Sequence, residues 1–528
     1  MMPLWVVLSV ATASGLALSF PFTDRVAWPV WIALAPILHA VAAASTKRRA
    51  VLTAVAFALT WSLLCLRFYA HLTPGGWIAN GIYISLLYVA GLMAIRVLAK
   101  RGIWAAVLGS AAVWALLEIV RARMPILAFP WMLLGHAAGD WAVLRQAADL
   151  LGVFGISFVM AAVNALLAFI VLPVCTSKLK APPSTPAARR RCAAVVLAML
   201  FAFLVYGRVQ LEHYESRMVR GPRIALIQGC TYHKIERSHE EKQAQLEAHL
   251  KLHAQAALTL RDGDPPALIC WGETMVPGLF NVEEYAQTFT AAVQRHGIPT
   301  LFGADWLHPD DTQIEVAEQR WYNAAFAMDG AGQVAARYAK RRLVPFGEYV
   351  PLVSPLPFMK SLRSVTRDKY MPGDAPCTVV ELGNVRSAFV LCVEGAHADL
   401  AREAAAGGAD VLVNPTNDAW FTGTFGAAAH LQAARLRAIE IRRPLIRATN
   451  SGISVQVDPL GRLEVPLAPD TVGVAVLDLA RLEGDLPCTL TMQLGEAGAA
   501  TLFVLVLGLA WWLDRRALAD QGAKKQHG

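Results

Sequence analysis

Ser387-Ala388-Phe389-Val390-Leu391-Cys392-Val393-Glu394 reads as a short buried strand that ends on chemistry: an apolar run, then a thiol, then a carboxylate. Two other runs have the same form. Ala267 to Trp271 is followed at once by Gly272, Glu273 and Thr274, and Val334 to Ala339 leads into Lys340. Around them lie further candidate strands at Arg223–Gln228, Thr300–Gly303, Tyr322–Met328, Asp410–Asn414, Leu445–Thr449, Ile453–Asp458 and Gly473–Leu477. Candidate helices are Ser238–Leu260, Val282–His296, Ala398–Ala406 and Gly426–Arg442. Apolar strands alternating with amphipathic helices predict a layered α/β or α+β domain over about Gly221 to Leu494, with the site in loops after strand ends.

Outward from that domain the composition changes. Of 528 residues, 55% are hydrophobic and 17% charged, against about 45–50% and 25% in soluble proteins; mean hydropathy is +0.42. A membrane helix needs about 20 apolar residues. Seven such stretches precede residue 210: Pro3–Phe20, Ala27–Ala44, Ala50–Leu72, Gly76–Ala99, Gly102–Val120, Leu150–Val174 and Cys192–Gly207. An eighth is Gly498–Leu513. The expected organisation is a seven-helix membrane domain over 1–210, a catalytic domain over 221–494, a carboxy-terminal membrane helix over 498–513 and a tail over 514–528. The first stretch lacks a basic flank and is read as a retained helix rather than a signal peptide.

The formal charge of +8 is concentrated in clusters between apolar runs. Lys47, Arg48 and Arg49, then Lys100 and Arg101, then Lys178, Lys180 and Arg189–Arg191, then Arg515, Arg516, Lys524 and Lys525 all fall on one side if the spans alternate. Such a bias marks the cytoplasmic side, which places residues 221–494 across the membrane, in the periplasm of a Gram-negative cell. Arg121 and Arg123 run against this bias and are outnumbered. The pattern speaks for membrane topology and not for a nucleic-acid surface. The eight cysteines show neither metal-ligand spacing nor a disulfide framework, and no metal or diffusible cofactor is expected.

A thiol needs a base or a positive field to become a nucleophile, and acyl transfer needs donors for the oxyanion. Cys, Glu and Lys together supply these roles. Singly, each reads as structural: a cysteine ending an apolar strand is usually core, and a lone Glu or Lys is usually solvated. His233, His397 and His430 are isolated and are given no metal role.

The surroundings are more specific. Cys270-Trp271-Gly272-Glu273, then Tyr338-Ala339-Lys340 running on through Phe346-Gly347-Glu348-Tyr349-Val350-Pro351, then Leu391-Cys392-Val393-Glu394, then Asn414-Pro415-Thr416-Asn417-Asp418-Ala419-Trp420-Phe421 follow in that order. This resembles the nitrilase, or carbon–nitrogen hydrolase, superfamily with its Glu-Lys-Cys triad. With Phe129-Pro130-Trp131 and the membrane spans, the whole chain is similar to the apolipoprotein N-acyltransferase family. The resemblance implies a polytopic α-helical membrane domain plus a periplasmic α/β nitrilase-like αββα sandwich domain, in a bacterial inner membrane. It implies Cys392 as nucleophile, Glu273 as general base, Lys340 at the tetrahedral intermediate, and Glu348 and Glu394 as supporting carboxylates. The implied partners are a phospholipid acyl donor and a diacylated apolipoprotein acceptor. Two departures stand out: Val393 where the family usually has Tyr, and Cys230 to Arg237 where it usually has Trp.

Leu352–Met359, interrupted by Pro355 and Pro357, precedes Lys360, Arg363, Arg367 and Lys369. Apolar residues beside cations suit a loop dipping into a lipid surface, and Arg363 and Arg367 are candidate lipid contacts. A packed loop with a solvated charge run is the competing reading. A membrane-tethered amidase is the alternative function, and a silent scaffold a third; an intact Glu273, Lys340 and Cys392 weighs against the scaffold.

Overall fold

The computed structural model describes residues 28–71, 73–124, 127–175, 182–231, 237–260, 263–315, 319–351 and 370–526. In its apolar part the chain is helical, because backbone groups out of water must be satisfied within the segment. The helices of more than one turn are α1 (Ala35–Ala43), α2 (Lys47–Cys65), α3 (Pro74–Ala99), α4 (Ser110–Arg123), α5 (Ala148–Leu166) and α6 (Pro186–Glu215). The last helix of the chain is Leu490–Gln526. Six helical stretches among the described residues are long and apolar enough to cross a membrane: Lys47–Cys65, Pro74–Ala99, Ala105–Arg123, Leu144–Val171, Pro186–Glu215 and Leu490–Ala517.

The expected span Pro3–Phe20 lies outside the described residues. The expected span Ala27–Ala44 is corrected to a broken, shorter segment: a 3-10 turn at Trp28–Trp31, then the nine-residue α1. Pro36, at the start of α1, has no N–H to bond backwards. Asn164 of α5 covers the break. Its Oδ1 accepts from Leu34 and Ala35 N–H at 2.9 and 3.2 Å, and its Nδ2 donates to Val30 O at 2.9 Å. The non-helical chain after α4 is tied down similarly: Arg121 donates to Trp131 O at 2.6 Å, and Glu118 accepts from Leu134 N–H at 2.7 Å.

Contacts along the chain divide it into two units, one made of the helices up to residue 211 with the stretch from 493 on, the other of residues 212–492 with 71–73. The second unit holds two mixed sheets. One has the order β13-β1-β2-β4-β5-β6, with β3 beside β4; the other is β12-β11-β10-β9-β8-β7. The strands of the first are β1 (Met218–Gln228), β2 (Leu268–Cys270), β3 (Val276–Leu279), β4 (Thr300–Leu307), β5 (Trp321–Met328), β6 (Val334–Ala339) and β13 (Gly473–Leu482). Those of the second are β7 (Val379–Leu382), β8 (Val385–Phe389), β9 (Val411–Thr416), β10 (Leu445–Thr449), β11 (Val455–Val457) and β12 (Leu463–Glu464). β1, β2 and β4 run parallel, as do β8, β9 and β10.

Alternation along each strand assigns the layers. Ile224 and Leu226 of β1 join Phe389, Val411, Val413 and Ile446 in a core between the sheets. Ala225 and Ile227, one residue out of phase, pack with α7 (His239–Ala257) and α8 (Tyr285–His296). On the second sheet Leu412 and Leu445 face α9 (Ala398–Ala406) and α10 (Gly426–Ile441). The order is helices, sheet, sheet, helices. Strands β3, β7 and β12 were not among the candidates; Pro277 and Gly278 disguise β3, since both residues are poor in strands. Cys65, Cys192, Cys230, Cys270, Cys377, Cys392 and Cys488 stand outside any disulfide.

Candidate active site

Each of the three expected residues leaves its strand end into one cavity of about 150 Å³, which Glu273, Lys340, Glu348, Cys392 and Val393 line. After β2 the chain makes a tight approach at Gly272, where a Cβ would stand 3.0 Å from both Asn450 N and Thr416 O. That places Glu273, 4% exposed, beneath the second sheet's loops. Lys340 follows β6, its own N–H bonded to Asn323 O at 2.8 Å. Cys392 opens a 3-10 turn, Cys392–Ala396, after β8, with φ of 48°, the left-handed region that non-glycine residues seldom occupy.

Lys340 is almost wholly buried and bridges two carboxylates: Nζ is 2.8 Å from Glu273 Oε1 and 2.9 Å from Glu348 Oε1. Asn323 Nδ2 donates to the same two oxygens, at 2.8 and 2.7 Å. Glu273 Oε2 accepts from Asn417 N–H at 3.1 Å, and Glu348 Oε2 from Val344 N–H at 2.7 Å. Burial alone would push the Lys340 amine down, but Glu273 and Glu348 outweigh it and hold it well above the usual lysine range. The group therefore carries a fixed positive charge. Burial, reinforced by Glu273, pushes the Cys392 thiol well above its ordinary value against the pull of Lys340. At rest Cys392 is a thiol, and any attack by its sulfur requires the proton to leave.

Glu394 has a different place from Glu348. Its oxygens accept from Tyr338 OH at 3.0 Å, from Arg341 and Arg342 N–H at 2.7 and 3.0 Å, and from Leu391 N–H at 2.8 Å. It is fully buried, and burial raises it above the usual carboxylate range despite those bonds. Glu394 thus ties the turn that carries Cys392 to the segment that carries Lys340. Arg363, Arg367 and the Leu352–Met359 stretch lie outside the described residues.

Sequence reasoning passed over Asn323, the shared donor to both carboxylates. Its signal was a lone amide inside the otherwise apolar strand Tyr322–Met328. It also passed over Arg447, a cation in the middle of the apolar strand Leu445–Thr449, and left His430 isolated. Both are buried and meet Asp418, with Arg447 2.8 Å and His430 3.0 Å from its carboxylate. No cluster among the described residues has the make-up of a metal site.

Comparison with known proteins bears on both units. The carbon-nitrogen hydrolase family model matches residues 223–484, and that of the apolipoprotein N-acyltransferase N-terminal domain matches residues 13–166. An apolipoprotein N-acyltransferase of Geobacter metallireducens is 30% identical over 482 residues, covering 88% of this chain and 87% of its own. The chain belongs to the apolipoprotein N-acyltransferase family. A relative with the same name from Azotobacter vinelandii is 32% identical, over 78% of this chain and 73% of its own, and one from Bordetella bronchiseptica is 29% identical over 97% and 98%. Among solved structures, an amidase from Nesterenkonia sp. aligns over 50% of this chain and 92% of its own, with 20% identity and a TM-score of 0.36. Family membership and the six apolar stretches make the chain a multi-pass membrane enzyme with a nitrilase-like domain. They favour the acyltransferase over the membrane-tethered amidase.

Proposed function

We propose that the protein moves a fatty acyl chain from a phospholipid to the α-amine of a diacylglyceryl-cysteine lipoprotein, through a thioester on Cys392. Glu273 takes the thiol proton as Sγ bonds to the ester carbonyl carbon. The resulting oxyanion is held by the Lys340 ammonium with backbone N–H groups, in a site where desolvation strengthens each contact. Collapse breaks the ester C–O bond, and Glu273 returns the proton to the departing lysophospholipid oxygen. In the second half the lipoprotein amine attacks the thioester and gives a proton to Glu273. The C–S bond then breaks, and the thiol is restored with that proton.

Glu348 and Asn323 keep Lys340 charged and aimed in both halves. The proposal also keeps residues 221–494 as the catalytic domain on the periplasmic side of the inner membrane, on the lysine and arginine bias of the loops. The observation that carries the reading is the Lys340 bridge between Glu273 and Glu348 in the cavity that Cys392 lines.

The test is the intact mass of purified protein after incubation with a defined phospholipid, with peptide mapping and a Cys392→Ala control. A fatty-acyl adduct on Cys392, absent from the control, is the expected result. Folded protein with a reactive thiol and no adduct would sink the phospholipid donor, and ammonia release from small amides would then favour the amidase.

A further inference from the structure

Cys392 is held by a buried polar assembly that the reaction as written does not use. His430 Nε2 lies 3.0 Å from the Cys392 carbonyl oxygen, which also accepts from Asn414 Nδ2 at 3.1 Å. Arg447 sends one NH to Asn414 Oδ1 and another to Asp418 Oδ2, both at 2.8 Å, and the latter also reaches His430 Nδ1 at 2.7 Å. Asp418, His430 and Arg447 are each no more than 1% exposed, and none of them lines the cavity. Burying three ionisable groups costs several kcal/mol before pairing. Such an assembly calls for a role beyond filling space.

The geometry fixes the proton on Nε2. Nδ1 stands between an Arg447 N–H at 2.7 Å and Asp418 Oδ1 at 3.0 Å, one a donor and the other an acceptor, so both residues hold that edge of the ring. The carbonyl of Cys392 only accepts, so Nε2 carries the hydrogen. Burial and the Arg447 charge push His430 below its ordinary value, against the pull of Asp418. Asp418, which burial would raise, is held below the usual carboxylate range by Arg447 and His430, so it stays charged and anchors the guanidinium. The Cys392 carbonyl belongs to the same planar peptide as the Val393 N–H, and the two point opposite ways. Drawing electron density towards that oxygen leaves the N–H a stronger donor, and Val393 lines the cavity.

We propose that Asp418, Arg447 and His430 are positioning residues for acyl transfer: Asp418 and Arg447 hold the His430 ring, and its Nε2–H fixes and polarises the Cys392–Val393 peptide as an oxyanion donor. This rests on the reading of Cys392 as nucleophile. Alkylation of the thiol by iodoacetamide passes through no oxyanion, so it separates the two contributions.

The experiment compares wild type with His430→Gln, whose amide N–H reaches the Nε2 position, and with His430→Asn, whose amide is one methylene short, and His430→Phe. Each is assayed for acylation of Cys392 by phospholipid and for alkylation at pH 9. Deleting an oxyanion donor outright costs about 10²–10³-fold. His430→Phe and His430→Asn are expected to lose at least about tenfold in acylation, with KM and alkylation within about twofold, and His430→Gln to retain most activity. Equal acylation by the Gln and Asn variants, or parallel loss of acylation and alkylation, would overturn the proposal. If the Phe variant does not fold, the Gln and Asn pair decides alone. A wild-type protein that takes no acyl group overturns the reading beneath it instead, which is a separate outcome.

Discussion

Glu348→Gln changes one atom in the centre of the site, and its effect follows from the hydrogen bonds. Glu348 Oε1 takes Lys340 Nζ and Asn323 Nδ2, while Oε2 takes Val344 N–H at 2.7 Å. Glutamine offers one acceptor and one donor group. With its oxygen turned to Lys340 and Asn323, its NH₂ confronts the Val344 N–H, donor against donor. One charge-assisted bond is lost, worth about 1.5–3 kcal/mol, and the Lys340 bond weakens because the acceptor is now neutral. Lys340 keeps its partner Glu273, so the ammonium survives. If about 2 kcal/mol is felt in the transition state, kcat falls about thirtyfold at 1.36 kcal/mol per decade. The assay is single-turnover acylation of Cys392 by a defined phospholipid, beside thermal unfolding and a Lys340→Met comparison. Lys340→Met removes the cation itself and is expected to lose about 10³-fold or more. Acylation by Glu348→Gln within twofold of wild type would refute a positioning role. A loss as deep as that of Cys392→Ala would also refute it, by making Glu348 a proton carrier.

Other predictions are of the same kind. Because the Cys392 thiol is held above its ordinary value, iodoacetamide should alkylate it more slowly than a free cysteine at pH 7, with a rate still climbing through pH 9; a plateau near pH 7 would contradict this. Glu394→Gln should destabilise by about 1–3 kcal/mol, since its oxygens serve several buried donors, and should lower thermal stability in parallel with activity. Burial depresses His249 and His253 to about 4 from 6.5. Their unfolded forms bind protons first, so stability is complete above pH 6.5 and is lost as pH falls towards 4, by roughly 2–3 kcal/mol per residue. Melting curves between pH 7 and 4.5 should show the slope, and His253→Leu should flatten it.

The strand ends that carry Glu273, Lys340 and Cys392 were legible because chemistry follows directly on apolar runs. Leu445–Thr449 and Ala398–Ala406 coincide with β10 and α9. The layer order was readable only through the family resemblance, since periodicity tells which residues share a face and not which sheet they meet. The break before α1 was missed because hydropathy counts Pro29 and Pro36 as ordinary members of an apolar run. Asn323 and Arg447 were missed for the opposite reason. A polar residue within an apolar strand reads as noise until its partners, far away in sequence, are known: Asn323 meets Glu273 and Glu348, and Arg447 meets Asp418 and Asn414.

β1 and β13 are paired antiparallel neighbours, from Met218 opposite Leu482 to Gln228 opposite Gly473. The first strand follows α6 and the last precedes the helix Leu490–Gln526. The sandwich is therefore moored twice from a single sheet edge, and its entry and exit stand side by side. A protease that severs one mooring leaves the domain buttoned to its other strand, so shedding it takes two cuts. The same adjacency makes the domain portable: clipped at both stems, its ends are already close enough for a short covalent link to close the ring.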